Sequence, residues 1–328
     1  MSEYQYYDFR AIDRPLTSAQ RAELGRISTR AEISSTKFTN FYTFGDFKGN
    51  PVTLVERYFD AFLYLANWGT REVMFRMPRG RAPTARVLRS YLSSRFQTAA
   101  WFRVRGAHII FGFLSDDEEG DGENDGEGEL ASIVPVRSDL LTGGLRVLYL
   151  GWLLRVQAGD VGKDVAEPAV PAGLAELSGA EAALVDFLRI DLDLIAAATQ
   201  SRGGKAAKVR TAGQLLSIAK ARREEAERRA AKKIQRERER REEAAAIIRA
   251  RHLDGLAARE ADAWREVEGL AESRKPAAYD QAVVLLRDLR EISDTGGRSP
   301  KFKSFVDDLR QRHRAKVSFL KRLDRAKV

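Results

Sequence analysis

Between Thr211 and Ser273 the chain contains no proline, and apart from Gly213, Gly255 and Gly269 it is dominated by strong helix formers such as Ala, Arg, Glu and Lys. Such a run predicts one long helix. Glu224 with Arg228, Glu225 with Arg229 and Glu237 with Arg241 stand four apart in the favoured order, each pair worth about 0.2–0.5 kcal/mol to an exposed helix. A coiled coil needs apolar a and d positions over three or four heptads. Between Ala219 and Ala246 the one large aliphatic residue is Ile234, so a dimer seam is missing and the expectation is a single charged rod.

The charge of the chain is divided unevenly. Residues 205–328 hold 33 Lys and Arg against 20 Asp and Glu, a net +13, which leaves −4 of the overall +9 for residues 1–204. A basic half of this kind points to nucleic acid, acidic proteins or an anionic surface as partners. The densest cationic cluster on the rod is Lys232, Lys233, Arg236, Arg240 and Arg241, which could neutralise phosphates without reading base sequence. No aromatic residue is interleaved with it, so a duplex or structured RNA suits it better than a single strand. The plain structural reading is a spacer.

Several chemistries are excluded or weakened by composition. Cysteine is absent, which removes disulfides, thiolate nucleophiles and Cys-ligated metals, and it suits a reducing cytoplasm. His108, His252 and His313 are widely separated, and no spacing suggests a metal site or a Ser-His pair, so no metal and no cofactor is expected. The longest apolar run, Leu145 to Val156, is interrupted by Arg146 and Arg155 and reads as a buried helix instead of a membrane span. Glu3 and Asp8 among the first tyrosines do not read as a secretory signal. Gly203-Gly204-Lys205 lacks the Ser or Thr of a P-loop, and Asp121, Glu123, Asp125 and Gly126 lack the closing Glu of a calcium loop.

Residues 1–204 predict an α+β domain. A strand is expected over Tyr4 to Ile12, then a helix capped by Thr17 and Gln20, then one or two strands before Gly45. Asn50 and Pro51 read as the start of a helix carrying Val55, Tyr58, Phe59, Phe62, Leu63 and Ala66. Further strands fall at Glu72 to Met77, Ala99 to Arg105 and His108 to Leu114, with a helix over Thr84 to Tyr91 between the first two. An acidic, glycine-rich, disordered loop is expected over 115–130, followed by helices at Asp139 to Val156 and Glu181 to Ala198. Beyond the rod, taken as 205–273, residues 274–328 predict a small helical tail that packs on the rod's last turns through Trp264, Val267 and Leu270.

Catalysis, if any, would draw on carboxylates and arginines near the Asn50 helix. Read as a helix through Ala66, that segment puts Glu56 and Asp60 one turn apart with Arg57 beside them. Tyr7, Asp8, Trp68 and Arg71 could add an aromatic wall and an anion clamp to the same N-terminal surface.

The runs Tyr4-Gln5-Tyr6-Tyr7, Ala11 to Thr17, Gly45 to Gly49, Glu56 to Asp60 and Asn67 to Arg71 resemble a widespread family of bacterial proteins without an assigned activity. The tail, from Trp264 through Tyr279 to Val283 and on to Leu323-Asp324-Arg325-Ala326, resembles the C-terminal segment of some bacterial SWIM zinc-finger proteins, without the zinc site. That second likeness implies a portable interaction module and no metal. The reading is therefore a non-catalytic cytoplasmic adaptor binding protein partners through its N-terminal domain and tail. The alternative is a nucleic-acid-associated protein using the rod, and the third is an enzyme using Glu56, Arg57 and Asp60.

Overall fold

Tyr7 and Phe9 point to one side of Gln5–Arg10 (β1) and Tyr6 and Asp8 to the other, and β1 lies in the middle of a sheet with a core on each face. The computed structural model describes residues 3–116, 125–200, 209–273 and 275–328. They fall into two compact units, Met1–Glu227 and Arg228–Val328.

In the first unit, β1 is joined by Glu32–Ile33 (β2), Lys37–Tyr42 (β3), Ala61–Ala66 (β4), Arg71–Pro78 (β5), Ala100–Arg105 (β6) and His108–Ser115 (β7). The order is β2-β3-β1-β4-β5-β7-β6, and every named pair is antiparallel. One face carries Phe9, Phe38, Phe62, Met74 and Trp101 beneath Ser18–Ile27 (α1) and Pro51–Arg57 (α2), which contribute Leu24, Val52, Leu54 and Val55. The other face carries Leu63, Val73, Phe75, Phe111 and Phe113 beneath a helical layer. That layer is Ala85–Tyr91 (α3), Glu129–Ile133 (α4), Pro135–Leu141 (α5), Arg146–Gln157 (α6), Gly179–Phe187 (α7) and Leu192–Thr199 (α8). This is the α+β domain expected from the sequence.

Several local expectations are met at atomic detail. The Thr17 hydroxyl accepts from Gln20 N (3.2 Å) while Gln20 Oε1 accepts from Thr17 N (2.8 Å), a reciprocal cap. Asn50 caps α2 through Thr53 N (3.0 Å). The Leu145 to Val156 run is a buried helix, with every residue of α6 from Val147 to Leu154 out of solvent.

The helix expected from Asn50 through Ala66 ends at Arg57, and its second half is strand β4. β4 pairs with β1 on one side and β5 on the other, and both of its faces are covered, with Ala61, Phe62, Leu63, Leu65 and Ala66 all buried. A doubly buried strand shows a continuous apolar run, which mimics helical spacing. The helix expected over Glu181 to Ala198 is two helices, parted at Arg189, whose φ is 50°, and restarted by Asp191 accepting from Asp193 N (2.8 Å). Asp139 to Val156 is likewise divided, at Gly143, which needs its glycine for a φ of 88°. Residues 117–124 of the acidic loop, with Asp121 and Glu123 of the calcium-loop reading, lie outside the described residues, as does Gly203-Gly204-Lys205.

Gly112 of β7 is a place of close approach. A Cβ there would sit 2.1 Å from the indole of Trp101, which lies flat over the glycine in the adjacent strand. Gly112→Ala is expected to force the buried indole aside at a cost of about 1–3 kcal/mol. Urea denaturation of the full chain, read by circular dichroism, checks this, and a variant as stable as the parent would refute the packing account.

The long helix, Ala212–Ala258 (α9), belongs to both units: Ala212, Leu215 and Ala219 are buried in the helix-covered core of the first, which takes the helix to Glu227, and the rest, from Arg228, counts with the second. The rod expected to continue to Ser273 breaks at Arg259 (φ −118°, ψ 30°), and Glu260–Glu272 (α10) follows. No Pro or Gly marks the break. The apolar stripe Ala263, Val267 and Ala271 of α10 packs into a core with Pro276–Thr295 (α11), Ser299–Arg312 (α12) and Val317–Ala326 (α13), and that packing redirects the chain. Within this core Trp264 lies 4.0 Å from Phe305, ring to ring, and Tyr279 5.1 Å from Phe319. The shared tail core expected from the sequence is thus present. His313 is buried in it beside Phe319, and burial lowers its pKa. Among the described residues no helix is long and apolar enough to cross a membrane.

Candidate functional site

The N-terminal residues singled out by sequence do not share a surface. Tyr7 is buried, donating to Gln5 Oε1 (2.8 Å) on the α1/α2 side of the sheet. Asp8 projects from the opposite face, fully buried, and accepts from Arg10 Nη2 (2.7 Å); burial raises its pKa against the pull of Arg10. Arg71, also on that opposite face, is buried and donates to Gly69 O (3.3 Å). Trp68 is half exposed, its Nε1 donating to Thr70 Oγ1 (3.1 Å).

The proposed Glu56/Asp60 face dissolves with the helix that would have carried it. Asp60 lies past the end of α2 and is 1% exposed. It accepts from Ile12 N (2.7 Å), Asp13 N (2.8 Å) and Arg76 Nη2 (2.7 Å). Burial alone would raise its pKa; the two amides and the Arg76 guanidinium outweigh burial and hold the carboxyl below its usual range. Glu56 instead pairs with Arg105 (3.0 Å), and Arg57 with Glu23 (3.1 Å) while lying over the Tyr58 ring. These are structural ion pairs pointing in different directions.

The cationic cluster of α9 lies wholly in the second unit. Lys232, Lys233, Arg236, Arg240 and Arg241 are all exposed, and none forms an ion pair with a described residue. At 3.6 residues per turn Lys232, Arg236, Arg240 and Lys233 fall within a stripe about 100° wide, whereas Arg241 lies roughly 80° beyond its nearer edge. Glu239 borders the same stripe and Glu243 falls within it. Glu237 and Arg241 do not pair; Arg238 and Glu242 do (2.8 Å).

A second cationic feature, not marked by the linear sequence, is a groove between α11 and α13 of about 990 Å³. Its floor includes Val283, Val284 and Val317, the last two 58% and 60% exposed. Its rim is Arg287, Lys321, Arg322 and Arg325. Arg322 is neutralised by Asp280 (2.6 Å), but Arg287, Lys321 and Arg325 form no ion pair with a described residue. The walls are held by the Tyr279–Phe319 contact, by Arg290 donating to Lys327 O (2.7 Å), and by Lys316 Nζ capping the end of α10 at Ala271 O (2.7 Å). The signal available in the sequence was the spacing of Val317, Lys321 and Arg325 at i, i+4 and i+8, which aligns them on one side of α13. It becomes a groove only once Arg287 and Val284, more than 30 positions earlier, are brought alongside.

Among the described residues no group of three or more His, Asp or Glu side chains is placed to hold a metal ion. Compared with known proteins, the chain matches no family model, no curated protein and no solved structure.

Proposed function

We propose that this protein is a non-catalytic cytoplasmic adaptor whose helical tail takes an acidic segment of a partner protein in the groove between α11 and α13. The observation that carries the reading is the combination of two half-exposed valines with three unpaired cations around them. Exposed aliphatic side chains in a concave helical surface suit the apolar face of a partner helix, and the cationic rim favours carboxylates on its flanks.

The test uses the full chain and a fluorescent amphipathic helical peptide bearing leucines on one face and glutamates on its flanks. The triple variant Val284→Asp, Lys321→Glu, Arg325→Glu is expected to weaken binding by at least about 30-fold, equivalent to about 2 kcal/mol. Replacing the α9 stripe by glutamine is expected to leave it within about threefold. Equal binding by the groove variant and the parent would reject the proposal.

The α9 stripe favours a second reading, association with nucleic-acid phosphates. Four cations acting together would give a log–log salt slope of roughly −3 to −4 on duplex. The carboxylates singled out by sequence, Asp8, Glu56 and Asp60, are each tied into an ion pair and give no support to an enzymatic reading.

A further inference from the structure

From Val73 through Ser115 the chain contains no acidic residue and no lysine, yet it contains eight arginines. Arg76 is buried against Asp60, and Arg105 pairs with Glu56. The other six, Arg79, Arg81, Arg86, Arg89, Arg95 and Arg103, form no ion pair with a described residue. Choosing only guanidinium groups, which are planar, permanently charged and able to fork onto two oxygens, is what phosphate recognition and ring stacking call for.

Four of these arginines are arranged along one edge of the sheet. β6 is the outer strand, and Arg103 and Arg105 project from it on the same side as Trp101. Arg79 follows the end of β5 and donates its backbone N–H to Ala107 O (2.8 Å) in the β6–β7 turn, which brings Arg79 and Arg81 beside the far end of β6. Arg95 and Phe96 lie in the loop that leads into β6. The Phe96 ring is 44% exposed, stands edge-on to Trp101 at 4.9 Å and has the Arg103 guanidinium 5.7 Å from its centre.

The loop is braced from within. Ser93 Oγ accepts from Arg95 N (3.0 Å), Thr98 Oγ1 donates to Arg95 O (3.2 Å), and Gln97 takes the left-handed conformation at φ 61° that non-glycine residues rarely adopt. An exposed aromatic ring held in place by its own loop, next to arginines that form no ion pair with a described residue, has the two elements that single-strand binders combine: a flat platform for a base and cations that follow the backbone. β6 rises about 17 Å over its length, enough for roughly three phosphates of an extended strand.

We propose that this edge binds single-stranded nucleic acid, with one base stacked on Phe96 and the flanking phosphates held by Arg79, Arg81, Arg95 and Arg103. This surface belongs to the first unit, and the groove and the α9 stripe to the second.

The test is fluorescence anisotropy on full chain in which Lys232, Lys233, Arg236 and Arg240 are replaced by glutamine, so that α9 does not mask the edge. Probes are thymidylate and uridylate strands of about twenty nucleotides, a duplex of equal length, and heparin. Single strands are expected to bind at least about tenfold tighter than duplex. Phe96→Ala should lose about tenfold on single strands with its salt slope unchanged. Arg79→Gln with Arg95→Gln should flatten the slope by about 1.4. Phe96→Leu, which keeps an apolar contact with Trp101 but offers no flat ring, should behave like Phe96→Ala, separating lost stacking from lost folding. The proposal is overturned if no single strand binds, if heparin or duplex competes equally, or if both Phe96 variants bind like the parent.

Discussion

Replacing Asp60 by alanine is expected to destabilise the first unit by about 3–5 kcal/mol, the range found when one partner of a buried ion pair is removed. The side chain is essentially out of solvent and accepts bonds from the Ile12 and Asp13 amides and from two nitrogens of Arg76. Its loss leaves those amides and a buried guanidinium without their carboxylate. A second cation, Arg137, is 3.9 Å away and is itself buried, donating to Arg76 O (2.8 Å) and Asp13 Oδ2 (2.5 Å). Asp60→Asn keeps an acceptor and loses the charge, so it should fall between alanine and the parent. Because the folded pKa is depressed, the charged carboxylate contributes its full stability above the unfolded value of about 3.9 and loses it as pH falls through the folded value below that. Urea titrations at neutral pH and across the acid range check both statements. An alanine variant within about 1 kcal/mol of the parent at neutral pH would refute the first, and an acid-range gap between parent and asparagine variant that fails to narrow would refute the second.

The same cluster shows what the motifs of the N-terminal half do physically. Asp60, at the end of Glu56 to Asp60, holds Ile12 and Asp13 of the Ala11 to Thr17 run. Asn67, at the head of Asn67 to Arg71, accepts from Tyr4 N (3.0 Å). Gln5 reaches Asp46 Oδ1 (3.3 Å) in the Gly45 to Gly49 run. Four stretches that look like a scattered signature are polar ties around the central strand β1, and their charged and amide side chains are spent on holding backbone. Residue type alone cannot separate such a frame from an active site, because both call for buried, hydrogen-bonded polar groups.

Helix caps and edge strands were legible where a local signal decided the outcome, as at Thr17 with Gln20 or at the turn between β6 and β7. β4 was not, because pairing on both sides and burial on both faces erase the period of two. That one substitution of strand for helix also removed the Glu56/Asp60 site, since Glu56 stays on α2 while Asp60 falls in the connection to β4 and turns its carboxylate to the Ile12 and Asp13 amides. The groove of the tail failed to show for a different reason. Its rim comes from two helices separated in sequence, and only tertiary packing turns two unremarkable basic faces into one concavity. The Arg259 break belongs to the same class, being imposed by the packing of α10 and not by any residue at the break.

Glu167→Ala is the second large effect. Glu167 is 4% exposed and accepts from Tyr149 Oη (2.5 Å) and from Arg210 Nε and Nη2 (2.9 Å each), a bidentate pair. Arg210 also donates to Ala197 O (2.7 Å) and Ala198 O (3.1 Å) at the end of α8. Around this pair the backbone is stitched by Glu167 N to Arg210 O (2.8 Å), Ala212 N to Val165 O (2.9 Å) and Gly213 N to Lys163 O (2.8 Å). The first turns of α9 are therefore fixed to the first unit by a buried ion pair as well as by Ala212, Leu215 and Ala219. Alanine at 167 removes the carboxylate to which the buried Arg210 guanidinium and the Tyr149 hydroxyl donate and should cost about 3–5 kcal/mol. Hydrogen exchange should show the loss first in residues 209–219, ahead of the sheet, because among the described residues this is the buried ion pair that ties that segment down. Removing Arg210 as well should recover part of the cost, since the double variant no longer buries the guanidinium without its carboxylate. Unchanged exchange over 209–219 in Glu167→Ala would mean that apolar packing alone secures α9, and the ion pair would then be incidental to how the charged helix is mounted.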